Sequence, residues 1–191
     1  MKDLKDALLV IDMQNDFVTG ALGSKEAQAI VPNVKERVQQ YRQANKNIIF
    51  TKDTHYEESY LNSQEGKQLP VPHCIAYTEG WKLIDGLIED WFPSPVIIDK
   101  IQFGSPTIAL SIATLLSINP ILSTYREYIV SRSLEVIGLD TDCCVLANVV
   151  MVRTMLPQVE VFINKECCAG SSPEMHQKAL DVMKMYQVKV M

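Results

Sequence analysis

The sequence lacks several features that would each have pointed to a broad class. No apolar run approaches the roughly 20 residues needed to cross a bilayer. The N-terminus reads Met-Lys-Asp-Leu-Lys-Asp and runs straight into an apolar strand, without the apolar region or small-residue cleavage site of a secretory leader. Lysines and arginines are scattered and the net charge is −5, so neither nucleic acid nor an anionic membrane surface is an expected partner. No Cys-x-x-Cys pair occurs, which removes the usual thiolate zinc site. The expectation is a soluble, cytoplasmic protein.

Cysteine is present, but not as a disulfide framework. The five are Cys74, Cys143, Cys144, Cys167 and Cys168, an odd number with two adjacent pairs. Adjacent cysteines rarely bridge, because the geometry is strained. Reduced, mostly buried thiols in a reducing compartment are expected. Linkers, repeats and low-complexity tracts are also missing, so the 191 residues are expected to form one domain, 1–191. A hydrophobic fraction of 47% supplies a core without metal or disulfide staples.

What is there is an alternation of short β-branched runs and longer amphipathic stretches. Strands are expected at 7–11, 47–51, 95–99, 134–138, 159–163 and 188–190. Helices are expected at 34–44 after Pro32, 81–91, 105–117 with Pro106 in its first turn, 142–156 and 173–186. Continuous apolar strands alternating with helices define an α/β protein whose parallel sheet is covered on both faces. Asp53 to Gly80 is long, polar and aperiodic, and loops of that length inside compact domains are usually functional.

In an open parallel sheet, ligands bind beyond the carboxyl ends of the strands. The polar residues just after each apolar run are therefore the candidates. They are Asp12 after the first strand, Asp53 and His55 after the second, Lys100 after the third, and Thr141-Asp142-Cys143-Cys144 after the fourth. Taken singly, each has a plainer reading: a turn cap, a solvated strand end, a core cysteine. Together they bring an acid, metal-ligating groups, a cation and a thiol to one edge. A thiol in the first turn of a helix beside an ammonium is expected to be drawn toward thiolate. A carboxylate could take its proton and return it to a leaving amine. Only three histidines occur in the chain, and two, His55 and His73, fall in the long loop with Glu65 between them. With Asp53 they suit zinc, manganese or iron(II). Hydrogen bonding among loop residues is the alternative.

Several pieces resemble the isochorismatase-like cysteine hydrolases, and among these most resemble nicotinamidases. They are Leu9-Val10-Ile11-Asp12-Met13-Gln14-Asn15-Asp16-Phe17, Asp53-Thr54-His55, Leu69-Pro70-Val71-Pro72-His73-Cys74, Asp99-Lys100-Ile101-Gln102-Phe103-Gly104-Ser105 and Gly138-Leu139-Asp140-Thr141-Asp142-Cys143-Cys144-Val145. The resemblance implies a three-layer, Rossmann-like sandwich with a six-stranded parallel sheet. It implies a catalytic three of Asp12, Lys100 and Cys144, the nucleophile being Cys144 because it directly precedes Val145. It implies a cis peptide between Leu139 and Asp140 that aims the N–H groups of Asp140 and Cys144 at an oxyanion. A divalent metal, zinc foremost, would be held by Asp53, His55, His73 and Glu65, the last standing in for a histidine where this chain has Ser59. In nicotinamidase-like members that metal binds the substrate's pyridine nitrogen and orders water. Phe17 would wall the substrate pocket, with Tyr77 or Trp81 helping.

The implied reaction is hydrolysis of a small-molecule amide. The alternatives are a metal-independent relative acting on isochorismate or another amide, and a silent binding protein that kept the fold. Residues 114–133 match no pattern of the family and read as an insertion. The Met- and Val-rich C-terminal stretch is compatible with a homo-oligomer.

Overall fold

The computed structural model describes residues 4–118 and 132–191. Its centre is one six-stranded, all-parallel sheet in the order β3-β2-β1-β4-β5-β6. The strands are β1 Ala7–Ile11, β2 Asn47–Asp53, β3 Val96–Lys100, β4 Arg132–Gly138, β5 Val159–Cys168 and β6 Lys189–Val190. Every residue of β1 is inaccessible to solvent, as a central strand covered on both faces requires. The strand order reverses direction between β1 and β4. That crevice is where ligands of open α/β sheets bind.

Helices flank the sheet. They are α1 Asn15–Val18, α2 Lys25–Gln43, α3 Glu57–Tyr60, α4 Gln64–Gln68, α5 Pro106–Leu115, α6 Leu146–Met155 and α7 Pro173–Met185. The helix α2 begins nine residues earlier than Pro32 suggests. Ser24 caps it by accepting from Ala27 N at 2.9 Å, and Pro32 sits on its exposed side, where the lost backbone bond faces water. Its buried stripe of Ala27, Ile30, Val34, Val38 and Tyr41 packs against β2 and β5. Among the described residues, no helix is long and apolar enough to cross a membrane.

Two expectations fail. Residues 81–91 form no helix. Their apolar residues Leu83, Ile84 and Leu87 are buried with helix-like spacing, but Ile84 N donates instead to Met13 O, and Gly86 and Asp90 take positive φ. The Leu139–Asp140 peptide is trans; the one cis bond among the described residues is Phe92–Pro93. The backbone direction at Leu139 is set by the sheet, because Leu139 N donates to Ile11 O at 3.0 Å. Asp140 then stays extended, and its carbonyl accepts from Cys143 N and Val145 N. The unmatched insertion falls mostly at 119–131, outside the described residues.

Candidate active site

The site is assembled where β1, β2, β3 and β4 end. Asp12 follows β1 in a left-handed conformation, φ 47°, which an aspartate accepts at modest cost. Two short contacts hold it there: Asp12 N donates to Thr51 Oγ1 at 3.1 Å, and Gln14 N donates to Asp12 O at 2.8 Å. Lys100 closes β3 and lies beside Asp53 of β2 in the parallel register. Cys144 sits in a single π-helical turn, Thr141–Val145, that leads into α6.

One ammonium joins three of these residues. Lys100 Nζ lies 2.7 Å from Asp12 Oδ2, 3.2 Å from Asp53 Oδ1 and 3.4 Å from Cys144 Sγ. All four residues are buried. Burial alone would lower the Lys100 pKa, but Asp12, then Cys144 and Asp53, reverse this and hold the ammonium charged. Burial raises Asp12, with Lys100 opposing and Asp53 adding. The Cys144 thiol is pushed up, not down. Its contact with Cys143 comes first, then burial and Asp12, and these outweigh Lys100. The direction is opposite to the expected draw toward thiolate, with the Cys143 contact and burial outweighing the lysine that the sulfur shares with two carboxylates. A neutral thiol beside a carboxylate of raised proton affinity is an arrangement for general-base catalysis.

Asp53 links this group to a second one. While Oδ1 meets Lys100, Oδ2 lies 2.9 Å from His55 Nε2 and 3.6 Å from His73 Nε2. Glu65, on α4, places Oε1 3.7 Å from His55 Nε2 and 3.4 Å from His73 Nε2. One donor atom from each of the four residues lies within 4.8 Å of all the others. His73 Nδ1 is 2.9 Å from Val71 O, to which its N–H donates, so Nε2 is left facing the cluster. Burial would lower His73, but Asp53 and Glu65 raise it to about 10. Two carboxylates thus draw positive charge into a pocket lined by two imidazole nitrogens, so the donor set fits a divalent cation.

The other expected residues divide. Phe17 is buried with its ring 5.5 Å from that of His73, edge to face, and stands at the site. Tyr77 and Trp81 do not. The Trp81 indole donates to Thr54 Oγ1 at 2.8 Å and lies under the Lys52 ammonium, while Lys52 also pairs with Asp99. Strand alternation sends Lys52 and Asp99 to the face opposite Asp53 and Lys100. Tyr77 is stacked on Trp81 and 83% exposed.

Several residues of the site were not singled out from the sequence. Gln14 holds the backbone of Asp53 at both ends, accepting from its N at 2.7 Å and donating to its O at 2.9 Å. Asn148 donates to Cys144 O at 2.8 Å and to Phe103 O at 2.9 Å, and accepts from Ser105 N at 3.0 Å. It ties the turn of Cys144 to the loop after Lys100. Tyr60 donates to Leu69 O at 2.7 Å and packs on both His55 and His73. The one available signal was a polar residue within an apolar helix, at Asn148.

Residues 6–191 match the model of the isochorismatase domain, and the chain belongs to the isochorismatase family. It is an isochorismatase-like hydrolase with the α/β fold of that family. A nicotinamidase/pyrazinamidase from Bacillus subtilis is 24% identical, with a TM-score of 0.75 over 98% of this chain and 99% of that one. A pyrazinamidase from Pyrococcus horikoshii, in complex with zinc, is also 24% identical, with a TM-score of 0.74 over 98% and 99% of the two chains. An N-carbamoylsarcosine amidase from Thermoplasma acidophilum is 19% identical, with a TM-score of 0.74 over 98% and 95%. These likenesses establish the fold. A search of curated proteins finds no match.

Proposed function

We propose that this protein is a metal-assisted cysteine amidohydrolase of the nicotinamidase type, converting nicotinamide to nicotinic acid and ammonia. The observation that carries this reading is the Lys100 ammonium shared by Asp12, Cys144 and Asp53, with Asp53 at the same time part of a four-donor cluster. Structural neighbours that are nicotinamidases or pyrazinamidases, one in complex with zinc, support it.

Asp12 takes the thiol proton as Cys144 sulfur attacks the amide carbonyl. The oxyanion would be met by the Cys144 N–H, since the N–H groups of Thr141, Cys143 and Val145 are bonded to the carbonyls of Ala169 and Asp140. Asp12 then returns the proton to the amide nitrogen, the C–N bond breaks, and ammonia leaves a thioester on Cys144. Asp12 next takes a proton from water as the water attacks the thioester carbon; the C–S bond breaks, Asp12 returns the proton to the Cys144 sulfur, and the carboxylic acid departs. Lys100 holds the charges of Asp12 and sulfur together throughout. A divalent ion held by Asp53, His55, Glu65 and His73, zinc foremost, would supply Lewis-acid binding of a ring nitrogen. Phe17 would pack against the ring. The free state of all five cysteines suits a reducing compartment.

The test is ammonia release from nicotinamide by metal-replete protein. Release that vanishes in Cys144→Ala, with the fold retained, is the expected result. Full activity in that variant would overturn the assignment of the nucleophile. No release from protein that binds metal and reacts at Cys144 would reject nicotinamide and turn attention to other small amides, N-carbamoyl compounds first.

A further inference from the structure

The buried hydroxyl of Thr51 has no part in the reaction as described, yet it is bonded twice to the same catalytic side chain and backbone. Thr51 is wholly buried on β2, beside the end of β1. Its Oγ1 accepts from Asp12 N at 3.1 Å and lies 2.6 Å from Asp12 Oδ1, to which it donates. A hydroxyl has one proton, and here it is committed to Oδ1. Oδ2 sits 2.7 Å from Lys100 Nζ, and its contact is this ion pair rather than a neutral donor. The two oxygens of one carboxylate are therefore inequivalent. One is occupied by a neutral donor, and the other faces the charge that also touches Cys144.

We propose that Thr51 is a positioning residue that makes Oδ2 the proton-carrying oxygen of Asp12. The inference rests on the roles of Asp12 and Cys144 proposed above. With Oδ1 occupied, the Cys144 S–H bond breaks toward Oδ2. The electron pair stays on sulfur as it attacks the carbonyl carbon, and an O–H bond forms at Oδ2. That proton passes to the departing nitrogen, and the carboxylate is restored. The threonine keeps its own proton throughout. A purely packing role would be met equally well by valine, which has nearly the same shape and no donor.

Two variants separate these roles: Thr51→Val, which removes the hydroxyl, and Thr51→Ser, which keeps it. The first readout is the rate of Cys144 alkylation by iodoacetamide against pH, on full-length metal-replete protein, with Cys144→Ala to subtract the other thiols. The second is kcat and KM on the amide that is turned over, and the third is Tm. The charged and titratable groups around Asp12 are Lys100 from β3, Asp53 from β2, and Cys144 and Asp140 from the segment after β4. Neither variant alters them.

Thr51→Val is expected to lower kcat by about 10- to 100-fold, the rate equivalent of one hydrogen bond to a charged group. KM should change by no more than about 2-fold if only the transition state is affected. The acid limb of the alkylation profile should move to higher pH, because the lost donor had favoured the ionised carboxylate. Thr51→Ser should restore both. A Thr51→Val profile and kcat equal to wild type would overturn the proposal. So would a parallel loss of Tm and kcat in both variants, which is the mark of packing. Wild-type protein that hydrolyses no amide, combined with a shifted Thr51→Val profile, would support Thr51 and count against the amidase reading.

Discussion

Asp12 and Glu135 are two carboxylates with no solvent exposure, on or just beyond the adjacent central strands β1 and β4, and they are satisfied in opposite ways. Glu135 accepts four hydrogen bonds. Oε1 takes Arg37 Nε at 2.7 Å and Asn164 Nδ2 at 3.0 Å, and Oε2 takes Arg37 Nη2 and, at 2.7 Å, the Tyr41 hydroxyl. Asp12 has one neutral donor, Thr51, on Oδ1, and the Lys100 ammonium at 2.7 Å on Oδ2. Glu135 is fully paired and has no lone pair left for chemistry. Asp12 instead shares on Oδ2 the one ammonium that also meets Cys144 and Asp53, and burial raises its proton affinity. On the roles proposed above, the carboxylate with four donors of its own is structural, and the one that shares its cation with a thiol is the working one.

The sharpest way to break this comparison is to exchange the two effects. Asp12→Asn should lower kcat by at least about 1000-fold, within the range for a lost general base, while the fold survives because Lys100 keeps Asp53. Steady-state kinetics and a melting curve check both halves. Glu135→Ala should do the reverse. It leaves Arg37 uncompensated and should cost about 3–5 kcal/mol in urea unfolding, with kcat per folded molecule unchanged. A large kcat loss at Glu135 would show that the division between the two carboxylates is wrong.

Smaller effects sharpen the same boundary. Zinc at 100 times its Kd should stabilise the protein by about 2.7 kcal/mol, and chelation should reverse this. Glu65→Gln and His73→Ala should weaken that gain, as read by Tm against zinc concentration. Chelation without any shift would favour a metal-independent relative. The smallest effect concerns Asp140. Burial, with Asp142 and Asp12, raises its carboxyl to about 7. A raised aspartate favours the folded state fully only below its unfolded value, and that support is lost as pH rises through the folded value. The advantage of Asp140→Asn over wild type should therefore be near zero at pH 4 and grow as pH rises toward 8. Tm against pH for both proteins checks the sign.

The strands and the residues at their ends were legible because apolar runs and the polar residue that stops them are local signals. Asp12, Lys100, Cys144, Asp53 and His55 were found this way, while Glu65 and His73 came from the long polar loop and the resemblance; the structure brings all seven into two groups joined at Asp53. Thr51 was not legible. A threonine inside a strand reads as an ordinary β-former, and its second role exists only through the β1–β2 pairing. Gln14 stood in a motif, but its grip on Asp53 crosses 39 residues of chain. Trp81 misled because an aromatic near the site is as readily bound by Thr54 and Lys52 on the far face. The helix expected at 81–91 failed because burial spacing alone does not specify backbone conformation. The cis peptide came from resemblance, and the Leu139–Asp140 bond here is trans.

Gly138 closes β4 with φ 120°, and a Cβ built there would lie 2.0 Å from Ile11 O. Any side chain at 138 must therefore push apart the two strands that carry Asp12 and the turn of Cys144. The tolerance of the protein to substitution is then uneven in a way that a roll of reacting groups does not reveal. A position with no functional atoms holds a veto over the spacing of the two residues proposed to exchange a proton. Whoever grafts this chemistry onto another scaffold must first copy an empty space.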